Sequence, residues 1–401
     1  MNNGIDLNEV LRRYRRELTE SVVPFWLDNA VDHEFGGLFT CIRDDGTLIS
    51  TDKYMWSQLR ALWTFSALSS LPELHDRRVE LLDVADGLFR FVSGNGRDEN
   101  GHWVFALTRE GAPHTGATSV YADGFALLGL TEYARATGSE AALALAQQTF
   151  TETVRRLNIP GSYESAPYPI PQGMKSHGIS MIFSFAFFEL GLLTGSEEVL
   201  AQAHHHAEQV MTSFLRPERR LLLEFMNLND TESDGGRGRA IVPGHAIESM
   251  WFMIHIYSWF GERGRIAEAA EAIRWHMELG WDDEYGGILH AVDAEGREPW
   301  WPFADAKLWW PQTEALYALL LVREETGVDW ALDWFRKVDE YAFRHYPVRE
   351  HGEWTQRLDR FGRPFTETVA LPVKDPFHLP RALIYSISSL ERLTRSGKQP
   401  A

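Results

Sequence analysis

Apolar residues recur at helical spacing along the whole chain, interrupted by glycine-bearing polar turns. The pattern predicts twelve helices, at approximately 6–29, 52–70, 75–94, 119–137, 139–157, 176–194, 196–215, 243–261, 264–280, 306–326, 329–345 and 376–396. The even-numbered helices are apolar around most of their circumference, as in 119-SVYADGFALLGLTEY-133. The odd ones, such as 264-GRIAEAAEAIRWHMEL-279, keep one wet face. Short connections join each even helix to the next odd one, and long connections join each odd helix to the next even one.

The long connections repeat. The stretches 32-DHEFGGLFTCIRDDGT-47, 98-DENGHWVFALTREGAP-113, 282-DDEYGGILHAVDAEGR-297 and 349-REHGEWTQRLDRFGRP-364 share acidic residues, a glycine, a short run with apolar and aromatic residues and a charged turn. A degenerate copy lies at 217-PERRLLLEFMNLNDTESDGG-236. Each reads as a small β-hairpin. Positions 32 and 98 lie 66 apart, 282 and 349 lie 67 apart, and a sixth of the 401 residues is about 67. Six helical hairpins, each with a buried and an outer helix, predict an all-α, (α/α)6 barrel with short β-hairpins in the long loops at one end. Residues 1–401 then form a single barrel domain. The long loops gather over the N-termini of the inner helices, where groups bearing negative charge are favoured.

Composition narrows the function. The formal charge of −18 disfavours nucleic acid and anionic membranes as partners. Cys41 is the one cysteine, so no intrachain disulfide forms, which suits a cytoplasmic location. The N-terminal stretch reads as an amphipathic helix without the apolar core of a leader peptide. The most apolar run, 179-ISMIFSFAFFELGLL-193, is short for a bilayer and reads as a buried helix. Fifteen Trp, twelve Tyr and twenty-three Phe are more than packing requires, and flat aromatic faces stack on sugars. A small-molecule sugar is the expected partner, with the protein a monomer or homodimer.

Titratable and polar residues recur at the starts of the inner helices: Arg60, Tyr121, Asp123, His177, His245, Glu248, Trp309, Trp310, Glu314 and His378. Each alone has an ordinary reading as a cap, an ion-pair partner or core packing; their coincidence at one end of one ring marks a site. His245 and Glu248 share a helix face, as metal ligands often do, but no HExxH, matching second pair or aspartate cluster accompanies them. No metal and no cofactor is expected, since dinucleotide and P-loop fingerprints are also missing. His204, His205 and His206 read as a solvated outer face, and His290 among others as structural or exposed.

The blocks 25-FWLDNAVDHEFGGLFT-40, 53-KYMWSQLRALWTFS-66, 244-GHAIESMW-251, 308-LWWPQTEAL-316, 352-GEWTQRLDRFGRP-364 and 376-PFHLPRAL-383 resemble the N-acylglucosamine 2-epimerase family, which also holds mannose and cellobiose 2-epimerases and mannose isomerases. The resemblance runs from about residue 10 to about 395. It implies an (α/α)6 barrel and cofactor-independent proton abstraction at C2 of a reducing sugar, through a cis-enediolate. It also implies roles: His245 and His378 as the acid–base pair, Arg60 as the stabiliser of the enediolate oxygens, and Glu248 as the group orienting His245 or the sugar hydroxyls. His177 would bind near O1 or O5, with Trp309 and Trp310 lining the platform. The histidine at 177 is similar to that of branches acting on unmodified sugars, so the reading favours D-mannose, interconverted with D-glucose, D-fructose or both, over N-acylglucosamine or cellobiose. Two other classes stay open: an (α/α)6 glycoside hydrolase using Asp123 with Glu248 or Glu314, and a non-catalytic sugar- or protein-binding module.

Overall fold

The computed structural model describes residues 5–159 and 161–396. Helices α1 (Leu7–Arg16) and α2 (Val23–Asn29) are joined by a π-helical stretch, Glu17–Val22. Then follow α3 (Met55–Leu68), α4 (Arg78–Asn95), α5 (Tyr121–Thr137), α6 (Glu140–Leu157), α7 (His177–Thr194) and α8 (Glu197–Gln209). The remainder are α9 (Pro243–Phe260), α10 (Arg263–Gly280), α11 (Trp309–Thr326), α12 (Trp330–His345) and α13 (His378–Ser396).

Helices α3, α5, α7, α9, α11 and α13 each touch the next, and α13 returns to α3 to close an inner ring. Around it lie α4, α6, α8, α10, α12 and, against α13, α1. This is the expected arrangement of six helical hairpins. The cause is the apolar pattern: α7 and α9 bury almost every side chain, whereas α6 and α10 bury one stripe. Among the described residues α7 is the one helix long and apolar enough to cross a membrane, and most of it is buried inside the ring. The short turns are tight. Gly138 and Gly195 end α5 and α7 at φ 73° and 67°, a conformation that costs residues with a Cβ more than it costs glycine.

The expected hairpins are present and short: Ala106–Leu107 pairs with Pro113–Thr115, and Leu215–Arg216 with Leu221–Leu222. Pairing within the repeated turns is mostly single bridges, such as Val31 with Leu38 and Trp281 with Ile288. Several longer pairings instead run between consecutive long loops. Lys53–Tyr54 pairs with Ala106–Leu107, Met174–Ser176 with Phe225–Asn227, Ala240–Ile241 with Val292–Asp293, and Lys307–Leu308 with Arg357–Leu358. Three of these ladders involve the strand that leads straight into an inner helix. The backbone groups there must find partners, and the neighbouring loop supplies them.

Two of the turns are held by the same clip. Asp32 accepts from the backbone of Glu34 and Phe35 and from Lys53 Nζ at 2.9 Å; Asp282 accepts from Glu284 and Tyr285 and pairs with Lys307 Nζ at 3.0 Å. Gln58 grips both backbone groups of Leu38, as Gln312 grips those of Ile288. Both lysines are fully buried. Burial raises the Asp32 carboxyl, but hydrogen bonds from Arg109 and Lys53 outweigh it and hold the group well below its usual range.

Removing the anion from such a pair strands a buried charge. Asp282→Ala is expected to cost about 3–5 kcal/mol of unfolding free energy. Denaturant titration reads the loss directly, and exposed Asp283→Ala, expected within about 0.5 kcal/mol of the parent, serves as control.

Candidate active site

At the N-terminal end of the inner ring lies a cavity of about 240 Å³, lined by Arg60, Tyr121, His245, Glu248, Trp309, Trp310 and His378 among others. Arg60 lies in the second turn of α3, and its guanidinium packs over Phe125 at 4.0 Å and Trp56 at 4.5 Å. Its Nη1 donates to Asp375 at 3.0 Å. The other oxygen of Asp375 caps α13, accepting from the backbone of Phe377 and His378. One carboxylate therefore fixes both the arginine and the start of the helix that carries His378.

The Trp310 ring lies between the two histidines, 5.0 Å from that of His245 and 5.7 Å from that of His378. It packs on Gly244, where a Cβ would come within 2.5 Å of the indole. Trp309 stands edge-on to His378 at 6.1 Å.

Each histidine donates from Nδ1 to a buried carboxylate, so that Nε2 is the nitrogen outside that bond. For His378 the acceptor is Glu314, at 2.7 Å. Glu314 also accepts from Arg381 at 2.8 Å and from the Trp251 indole at 2.8 Å. Burial would raise Glu314, but the charge of Arg381 and the bond from His378 hold it below its ordinary value. For His245 the acceptor is Glu224, at 3.2 Å. Burial pushes His245 down, yet the charge and hydrogen bond of Glu224, helped by Glu248, carry it above 6.5. Burial also opposes the ionised form of Glu224, and there the charges of His245 and His177 win.

Three of the sequence-derived residues do not face the cavity. Asp123 lies two residues beyond Tyr121, about 200° around the helix. It turns outward to α6 and pairs with Arg156 at 2.9 Å, with burial pushing its carboxyl up to about 6. Glu314 sits beneath the site as the partner of His378. His177 is buried behind the wall, its Nδ1 3.5 Å from Glu224. Glu248 does line the cavity and accepts from Arg381 at 2.5 Å; among the described residues no hydrogen bond joins it to His245, on which it acts through its charge. Glu248, Glu314 and His378 present ligand atoms within 4.8 Å of one another, and Arg381 donates to both carboxylates, placing a fixed positive charge between them.

Sequence reasoning missed Glu224, Arg381, Asp375 and His290. Glu224 interrupts the apolar run of LLLEF, and a lone carboxylate there needs a buried partner. Arg381 follows His378 at i+3, on the same face. His290, read as structural or exposed, lines the cavity, where burial pushes it down to about 4.

Glu224→Gln is expected to lower the pKa of His245, seen as a downward shift of its midpoint in a pH titration of imidazole-labelled protein by NMR. The sign follows from the folded value being raised. The stabilisation is full below about 6.5, the ordinary histidine value, and fades as pH climbs through the folded value. The variant should therefore lose stability mainly on the acid side of that window.

The sequence family described as N-acylglucosamine 2-epimerase (GlcNAc 2-epimerase) matches residues 37–382. An N-acylglucosamine 2-epimerase of Bos taurus is 30% identical over 390 residues, covering 95% of this chain and 91% of its own. A cellobiose 2-epimerase of Bacteroides fragilis is 25% identical over 384 residues, covering 87% and 91%. The solved cellobiose 2-epimerase of Bacillus thermoamylovorans superposes with a TM-score of 0.83 at 20% identity, over 95% of this chain and 99% of its own. Sequence match, barrel and the ring of polar residues at its mouth agree, and the chain belongs to the N-acylglucosamine 2-epimerase family of carbohydrate isomerases.

Proposed function

We propose that the barrel is one catalytic unit that moves a proton at C2 of a reducing monosaccharide, with His245 and His378 as the acid–base pair. The observation that carries this reading is the pair itself: two imidazoles flank Trp310, each oriented by its own buried carboxylate. An enzyme that inverts C2 must take a proton on one face of an enediolate and return one on the other, and groups titrating near neutrality suit both steps. Arg60 and Trp310 supply charge and a platform for the intermediate, since fixed donors stabilise developing oxyanions without reorganising. Glu314, Arg381 and Glu224 act through the histidines. Return of the proton to C2 gives the epimer, and its return to C1 gives the ketose.

The cavity, at about 240 Å³, is smaller than the pockets of ~300–1,000 Å³ that hold drug-sized ligands, which supports a single sugar ring over cellobiose. Within that class the first reading is D-mannose, interconverted with D-glucose, D-fructose or both. Its ground in the sequence was His177, which lies behind the wall. The 30% identity with the bovine enzyme across nearly the whole chain favours a second reading, an N-acylated hexosamine. Of the carboxylates a hydrolase would need, Asp123 and Glu314 do not face the cavity. A module that only binds sugar has no use for two carboxylate-backed histidines.

Proton NMR of the protein with D-mannose in D2O, without added metal, separates these outcomes. Loss of the C2 proton with glucose appearing means a hexose 2-epimerase; fructose without early glucose means an isomerase. Exchange with N-acetylmannosamine alone moves the substrate to the second reading. His245→Ala and His378→Ala should each lower the rate about 10²–10⁴-fold. Exchange that survives either loss removes that histidine from the mechanism, and no exchange with any sugar overturns the proposal.

A further inference from the structure

One wall of the cavity is built from the long loops. His290 and Trp301 come from the loop before α11, Tyr168 from the loop before α7 and Arg357 from the loop before α13, and all four line the cavity. The Trp301 ring stands edge-on to His290 at 6.2 Å and lies 5.6 Å from that of Tyr168, whose phenol is close enough to Arg357 for their charges to interact. The wall begins beside the acid–base groups, since His290 lies in the field of His245 and Glu224. Three of its polar groups lack a protein counterpart among the described residues. His290 is 3% exposed and donates from Nδ1 to the carbonyl of Phe303 at 3.2 Å, which leaves on Nε2 a lone pair that no protein donor meets. The indole N–H of Trp301, 6% exposed, is unpartnered. The guanidinium of Arg357 gives one hydrogen bond, to the carbonyl of Leu371 at 3.4 Å, and forms no ion pair among the described residues. Arg60 and Arg381, in contrast, are each held by carboxylates. Buried polar groups nearly always find a partner in protein, water or ligand, and Arg357 keeps donors free for what enters the cavity.

We infer that this loop wall sets sugar specificity: Nε2 of His290 accepts a hydrogen bond from a hydroxyl next to the reacting carbon, and Arg357, at the other end of the wall, donates to a hydroxyl oxygen of the C4–C6 end. The inference rests on the reading of His245 and His378 as the acid–base pair. Burial keeps His290 neutral, so its free nitrogen accepts and does not donate. A sugar hydroxyl can meet either demand. A sugar that lacks the hydroxyl strands the protein group beside it, a penalty that an apolar wall cannot impose. These contacts form before proton transfer and persist through it, so they act on binding and leave the chemical step alone. The inner helices would then carry the reaction and the loops the choice of sugar.

The test measures kcat and KM of the parent, His290→Phe, Arg357→Met and Arg357→Lys on D-mannose and on its 3-deoxy, 4-deoxy and 6-deoxy forms. If the parent turns over only N-acetylmannosamine, the deoxy forms of that sugar take their place. On the complete sugar, His290→Phe and Arg357→Met are each expected to raise KM about ten-fold or more with kcat nearly unchanged. Arg357→Lys, which keeps a donor, should recover part of the loss. The difference between parent and Arg357→Met should vanish on the 4-deoxy or the 6-deoxy sugar, and that between parent and His290→Phe on the 3-deoxy sugar, because the truncated group then has no partner left to lose. Unchanged KM in both variants overturns the inference. So does a penalty of equal size on every deoxy sugar, which would mark the residues as structural. A displaced kcat–pH profile in His290→Phe overturns the role of His290 as an acceptor and places it in proton transfer. A parent inert on all sugars overturns the functional reading and this inference with it; an active parent with indifferent variants overturns this inference alone.

Discussion

An inner helix presents its first turn to the axis only if the loop before it ends at a fixed point, and buried ion pairs set that point. Lys53 with Asp32, Lys307 with Asp282, and Lys374 with Glu353 each join a long loop to the residues just before an inner helix. A buried lysine tolerates little displacement, because its charge is supported only while its carboxylate is in place. The ladders between successive loops add hydrogen bonds along the same seam. The precision of the site therefore originates in polar groups outside it, while the apolar ring supplies most of the burial.

Within the site, the two histidines are held by similar hydrogen bonds in different electrostatic settings. Glu314 is shared with Arg381, so its charge is largely met before His378 is considered. Among the described residues Glu224 forms ion pairs only with imidazoles, and its field falls on His245 and His177. The charge and hydrogen bond of Glu224 hold His245 above its ordinary value against the pull of burial. Asp375 couples the arrangement to Arg60, since one carboxylate serves the arginine and the cap of α13.

Much of this was legible from one sequence. The alternation of apolar and amphipathic helices revealed the barrel, because an all-round apolar helix has no stable place except inside. Arg60, His245, Trp310 and His378 were legible because a residue in the first turns of an inner helix lies near the mouth by construction. Asp123 and His177 passed that test of position and failed on direction. Depth along a helix is fixed by residue number, but the face turned to the axis depends on how the neighbouring helices pack.

The sequence by itself determined the repeat, the ring and the end of the ring where chemistry gathers, since these follow from local periodicity and from the cost of burying polar groups. Tertiary structure decided which carboxylate serves which histidine. Glu224 reaches His245 because Ser176 pairs with Phe225 across two loops, and the backbone of His177 continues that ladder to Glu224. Arg381 joins Glu248 to Glu314 across three helices. Such partners lie far apart in sequence, and only closure of the ring brings them within hydrogen-bond reach.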